Sequence, residues 1–180
     1  MKKWVVFLMI IFAIVICRTY LFMSFFKYEI IRESAAPVSV ITNQKLLDDL
    51  KTSRSEDAID NIIQDALRKT SSDLSFTFNK CYNEVNHLAE SKNANCIGYA
   101  GFLSAIIQYK LNKSRHDKQW KVHHKVGKIY FLNENINKFF DSNFFKDHDF
   151  VTVENIETKE IIPIDGTVYD YFKINRVQLK

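Results

Sequence analysis

With 180 residues, 47% of them hydrophobic and 26% charged, the chain has the make-up of one folded domain with a short appendage, which argues against disorder. Four glycines and two prolines leave no collagen-like, linker-like or glycine-rich phosphate-binding stretch. A net charge of +4 is spread over intermingled signs, with no basic block interleaved with aromatics, so nucleic acid is not expected as a partner.

Lys2 and Lys3 precede an apolar run from Trp4 to Cys17, and the apolar character resumes after Arg18 as far as Phe26. Together these approach the roughly 20 residues that cross a bilayer, and the run is apolar on every face, unlike a surface helix. Ser34-Ala35-Ala36 lies too far from the apolar core to act as a cleavage site, and Ile16 before Cys17 does not suit lipoprotein processing. The expectation is an uncleaved signal anchor over residues 1–27, with Arg18 snorkelling near its far end. The positive-inside count is nearly balanced. Short N-terminal tails carrying lysines usually stay inside, which places the C-terminal domain outside the cytoplasm.

Residues 28–41 read as an extended juxtamembrane connection, with Pro37 disfavouring helix, and residues 42–180 as the globular domain. Leu46, Leu47 and Leu50 predict a short helix. Ser55 is placed to cap a second, whose Ala58, Ile59, Ile62, Ile63, Ala66 and Leu67 share one face up to Ser71-Ser72-Asp73. Cys81, Val85, Leu88 and Ala89 repeat that spacing, which makes Cys81 a core residue of a third helix. From Cys96 to Leu111 almost no polar face remains, as in a helix at the centre of a domain. Trp120, Val122, His124 and Val126 alternate as a strand does, continuing through Ile129–Leu132. An irregular insertion, Asn133 to Lys146, carries Phe139, Phe140, Phe144 and Phe145. Two strand-like arms, residues 148–153 and 160–165, then flank a turn at 155–158. Helices first and antiparallel strands after them make an α+β fold.

The three cysteines, Cys17, Cys81 and Cys96, form no CxxC, and there is no HExxH, so zinc and thioredoxin chemistry lack their ligand spacing. A Cys81–Cys96 disulfide is formally possible in an oxidising compartment. His123 and His124 point to opposite faces of a strand, so only one of them could serve a given site, and Asp147 and Asp149 read as solvated. No metal or cofactor site is expected.

Cys96 follows the turn-like Asn93-Ala94-Asn95 and opens the most buried helix, where unpaired N–H groups and a partial positive charge favour thiolate and could hold an oxyanion. A two-residue turn at Ile156-Glu157 would set His148 directly opposite Asp165 across the hairpin, with Phe150 and Thr152 on their face and Val151 and Val153 on the other.

Asn95-Cys96-Ile97-Gly98-Tyr99-Ala100, His148-Asp149-Phe150-Val151-Thr152-Val153 and Ile164-Asp165-Gly166-Thr167 resemble the three signature blocks of the transglutaminase-like superfamily. The resemblance covers about residues 91–172. It departs from the pattern at Ala94, Asp149, Ile161 and Gly166, none of which removes a reactive group. It implies a papain-like core, with Cys96 as nucleophile, His148 as base, Asp165 orienting the imidazole, and a protein or peptide amide as substrate. Water as acceptor makes a protease or amidase and lysine makes a cross-linker, of which hydrolysis is expected. The alternative is a non-catalytic binding module near the membrane that keeps the fold without the chemistry.

Overall fold

The computed structural model describes residues 2–52, 58–140 and 145–180. Ser55 and Phe144 lie outside the described residues. The elements mix helices with an antiparallel sheet, as expected for α+β.

The apolar N-terminus forms two helices, α1 (Lys2–Ile16) and α2 (Arg18–Phe25), rather than one. They are bent by 68° at the break, so no single helix is long and apolar enough to cross a membrane, although the bent pair reaches that length and composition. Arg18 sits at the bend, donating to the carbonyl of Val15 at 3.1 Å and to that of Lys173 at 3.3 and 3.4 Å. The expected connection beyond them is different in kind. Residues Phe26–Glu33 form a strand, β1, and only residues 34–43 are free of regular structure before α3 (Gln44–Thr52) begins. The β-branched and aromatic residues of β1 suit a half-buried pleat. Tyr28 is 1% exposed, so core packing begins well before Pro37.

α4 (Ile59–Asp73) buries the face read from its spacing, Ile62, Ile63, Ala66 and Leu67. Cys81 is not helical. The third helix, α5 (Val85–Ser91), starts later because the Glu84 carboxylate accepts the N–H groups of Asn86 and His87 and caps it there. Cys81 therefore lies in the preceding loop, half-buried, and its thiol and that of Cys96 are both free.

The central helix, α6 (Cys96–Ser114), is buried on nearly every turn. Asn95 caps it, its side chain accepting the Gly98 N–H at 3.1 Å. Gly98 permits the close approach of the strand before it, since a Cβ there would lie 2.9 Å from that of Ala94. That strand, β3 (Asn93–Ala94), pairs in parallel with the equally short β2 (Ser75–Phe76). Lys110 of α6, 5% exposed, forms an ion pair with Asp65 of α4.

The sheet has β1, then β4 (Trp120–Phe131), β6 (His148–Asn155) and β7 (Ile161–Ile164) in that order, all antiparallel. The short β5 (Glu134–Asn135) folds back on β4 through Leu132 and Asn133, both at positive φ, and a 3-10 turn, Ile136–Lys138, comes next. One face of the sheet, with Val122, Val151, Val153, Ile162 and Ile164, packs on α6 in the main core. On the other face Tyr28, Phe150 and Val177 form a second cluster. The C-terminal tail closes that cluster. Val177 N–H donates to Pro163 of β7, Gln178 accepts from Tyr28 N–H at 2.7 Å and Lys180 donates to its carbonyl at 2.9 Å, so the open edge of β1 is covered.

Candidate active site

Three elements converge on one place. Cys96 is the first residue of α6, His148 the first of β6, and Asp165 follows β7 as the cap of α7 (Gly166–Phe172). His148 Nε2 lies 2.7 Å from Asp165 Oδ2, and Cys96 stands near enough to the imidazole to help raise its pKa. All three residues singled out from sequence are thus brought together.

The route differs from the one expected. The turn is not two residues long. Asn155 accepts the N–H groups of Glu157 and Thr158 at 3.0 Å each, and Lys159 adopts a left-handed φ of 62°. The strands then pair with Val151 opposite Ile164 and Glu154 opposite Ile161, a register two residues away from the one that sets His148 against Asp165. Continued past Ile164, this register brings Asp165 level with Phe150, so His148 reaches it on the diagonal. A slip of two keeps both side chains on one face, whereas a slip of one would have parted them.

Asp165 is 1% exposed and every part of it is held. Oδ1 accepts the backbone N–H of Thr167 at 2.9 Å and of Val168 at 3.1 Å, while Oδ2 accepts the Tyr28 hydroxyl at 2.8 Å besides its contact with His148. Burial alone would raise its pKa, but the charge of His148 and these donors prevail and hold it below the usual carboxylate range. Burial would likewise discharge His148. The charge and hydrogen bond of Asp165, followed by those of Cys96, outweigh it and push the imidazole up to about 10. Tyr28 is pushed well above its ordinary value by burial and by the neighbouring carboxylate, so it remains a donor.

Tyr28 went unmarked in the sequence. Its ring meets those of His148 and Phe150 edge-on, at 6.0 and 5.2 Å between centroids. The only signal was an aromatic in a β-prone stretch, hidden by its place next to the apolar N-terminus.

A second His–Asp pair lies on the opposite face of the sheet. His124 Nε2 is 2.7 Å from Asp149 Oδ1, and both residues are buried. Asp149 is therefore not solvated, though it does point away from the site as expected. His123, half-buried on the other face from His124, meets Glu33 at 2.7 Å. Among the described residues no three His, Cys, Asp or Glu gather as metal ligands would.

A groove of about 550 Å³ opens beside His148, walled by Phe76, Ile129, Ile136, Phe145 and Phe172, with Thr167 at its floor. Phe145 comes from the phenylalanine-rich insertion, whose other described rings stay more peripheral; Phe140 stacks on it at 4.4 Å. Asn95 takes the Gly98 N–H, so the N–H groups of Cys96 and Ile97 are those of the first turn left for a carbonyl oxygen gathering charge at the thiol. The arrangement has the parts for attack by sulfur on an acyl carbon. Comparison with known protein families, with curated proteins and with solved structures finds no match to this chain.

Proposed function

We propose that the chain is a membrane-anchored thiol enzyme of transglutaminase-like type that hydrolyses amide bonds through Cys96, His148 and Asp165. The observation that carries the reading is the contact of 2.7 Å between His148 Nε2 and a buried Asp165, made beside a cysteine at the head of the central helix. A buried carboxylate with four donors around it is a fixed point, and it aims the imidazole.

In the reaction the proton of the Cys96 thiol has passed to His148 beforehand, and Cys96 Sγ attacks the carbonyl carbon. The oxygen gathers charge against the N-terminal N–H groups of α6. His148 then gives its proton to the leaving nitrogen as the C–N bond breaks, leaving a thioester on Cys96. Water, relieved of a proton by His148, releases the acid. An imidazole pushed up to about 10 is already the acid that the departing amine requires at neutral pH.

The N-terminal helices are proposed as the anchor, with the domain on the outer side of the membrane. α1 exposes Trp4, Phe7, Leu8 and Phe12, which water does not favour. Treatment of the full chain with an acyl-transferring thiol probe tests the function. A covalent adduct on Cys96 that disappears in Cys96→Ala is expected, and an adduct on Cys81 or none at all would overturn it.

A further inference from the structure

The groove at His148 does not end there. A second groove of about 550 Å³ shares Ile129, Ile136 and Phe172 with it and runs on between the sheet and the N-terminal helices, where Leu21, Phe22 and Phe25 form its wall. Each volume falls in the range of small-molecule sites. We infer that these joined grooves hold a long hydrocarbon chain, and that the acyl group received by Cys96 belongs to a membrane-embedded amide whose chain enters from the bilayer. This rests on the proposed thiol chemistry and names its substrate class.

The distribution of polar groups selects the occupant. At one end stand His148 and Thr167, whose buried hydroxyl has no partner among the described residues. At the far end stands Arg18, at the bend between α1 and α2. Between them the walls are almost wholly apolar, and the Tyr28 hydroxyl that borders the second groove is committed to Asp165. A polypeptide laid along such walls would bury N–H and C=O groups without partners, at about 1–3 kcal/mol each. A hydrocarbon chain has none to bury. The far groove is bounded by the helices proposed to lie in lipid, so the joined grooves lead from those helices to His148, the partner proposed for Cys96.

In the step itself the chain's carbonyl carbon becomes bonded to Cys96 Sγ, the amine leaves with the proton from His148, and water then yields the free long-chain acid.

The test uses full-length Cys96→Ala in phosphatidylcholine nanodiscs, so that binding is read without turnover. The probe is the N-methylamide of palmitic acid carrying a mid-chain diazirine, and adducts are mapped by mass spectrometry. Adducts on the segments holding Ile129, Ile136 or Phe172 are expected, and Ile136→Trp, which fills the passage, should reduce them at least fivefold while those on α1 persist. Ile129→Trp narrows the same passage from β4 and should act alike. Adducts confined to α1 and α2, or groove adducts indifferent to both substitutions, overturn the inference. So does labelling of the groove by a photoreactive apolar peptide where the palmitoyl amide leaves none. Alkylation of Cys96 in the otherwise unaltered chain reports the triad separately. Normal alkylation with no groove adducts removes the lipid substrate and leaves the thiol enzyme standing, whereas groove adducts without Cys96 reactivity remove the thiol chemistry and with it the inference.

Discussion

Tyr28 and His148 share one oxygen of Asp165. The tyrosine hydroxyl reaches Oδ2 at 2.8 Å and the imidazole reaches it at 2.7 Å. The first of these residues belongs to β1, the strand that leads directly out of the N-terminal helices, so Asp165 is held by a segment that reads in sequence as a mere connection.

Removal of residues 1–25 should therefore leave a chain that folds and alkylates at Cys96. Removal of residues 1–41 should not, because it strips β1 from β4, uncovers Phe150 and takes Tyr28 from Asp165. Tyr28→Phe is the fine version. It keeps the ring against Phe150 and deletes a hydrogen bond to a charged acceptor, a loss of about 1.5–3 kcal/mol. Urea unfolding of the three chains decides. A cooperative transition in the chain that begins at Thr42 would show that β1 is dispensable.

Asp165→Asn keeps the size and removes the charge that holds His148 protonated. Turnover should fall about a hundredfold, with substrate affinity little changed, since an orienting group acts on the reacting state. The pKa of His148 should drop at the same time, because Asp165 supplies the largest upward influence on it. Asp149→Asn should do something else. Asp149 faces His124 in the interior, so the cost falls on stability, about 1–3 kcal/mol, with the pH profile of Cys96 alkylation unmoved. Equal effects of both variants on that profile would mean that Asp165 is not the orienting acid.

The contrast between these two aspartates shows what was legible. Alternation along β6 placed Asp149 and His148 on opposite faces correctly, because period two is a property of the strand itself. The register of β6 on β7 was not legible. It is decided by Asn155 accepting two N–H groups and by Lys159 entering the left-handed region, and a lysine announces neither. The same limit applies to β1. Its partner β4 lies some hundred residues on in the chain, and no local pattern encodes a pairing of that span. Helix α6, by contrast, was plain from its lack of a polar face. Cys81 misled because its spacing to Val85 is helical, while the cap that starts α5 is the carboxylate of Glu84 between them.

The His148 value has a consequence for stability. An imidazole at 6.5 in the unfolded chain and about 10 in the folded one binds its proton more tightly when folded. Its contribution is then fully present below about 6.5 and is lost as pH rises through about 10. Asp165, held low in the folded state, behaves in the opposite sense: its contribution is present above the ordinary carboxylate range and fades as pH falls through its depressed folded value. The two partners describe one interaction, so they bound a single plateau. Denaturant midpoints should be level between about pH 5 and 6.5 and decline steadily towards pH 10. His148→Gln should flatten that alkaline decline, and a slope that persists in it would assign the effect to another group.

Two glycines should respond to the same substitution with opposite signs. Gly127 sits within β4, opposite His148 on β6 and opposite Ile30 on β1. A Cβ there would lie 2.4 Å from the Glu29 carbonyl oxygen and 2.8 Å from Cε1 of Phe150. The first of these is backbone, and the second belongs to a ring that is fully buried, so neither gives way cheaply. Gly127→Ala should push β1 off β4 and cost about 1–3 kcal/mol, as overpacking does. Because β1 carries Tyr28, the damage extends to Asp165, and Cys96 alkylation should slow as well. Gly101 lies inside α6, and a Cβ there would meet nothing nearer than the Asn83 carbonyl oxygen at 3.5 Å. Its φ is not positive, so alanine fits the helix and should add about 0.5–1 kcal/mol of stability. Thermal unfolding of both variants, read beside their alkylation rates, tests the pair. A tolerated Gly127→Ala with unchanged alkylation would mean that β1 does not press on β4 at this point, and that Tyr28 reaches Asp165 with room to spare.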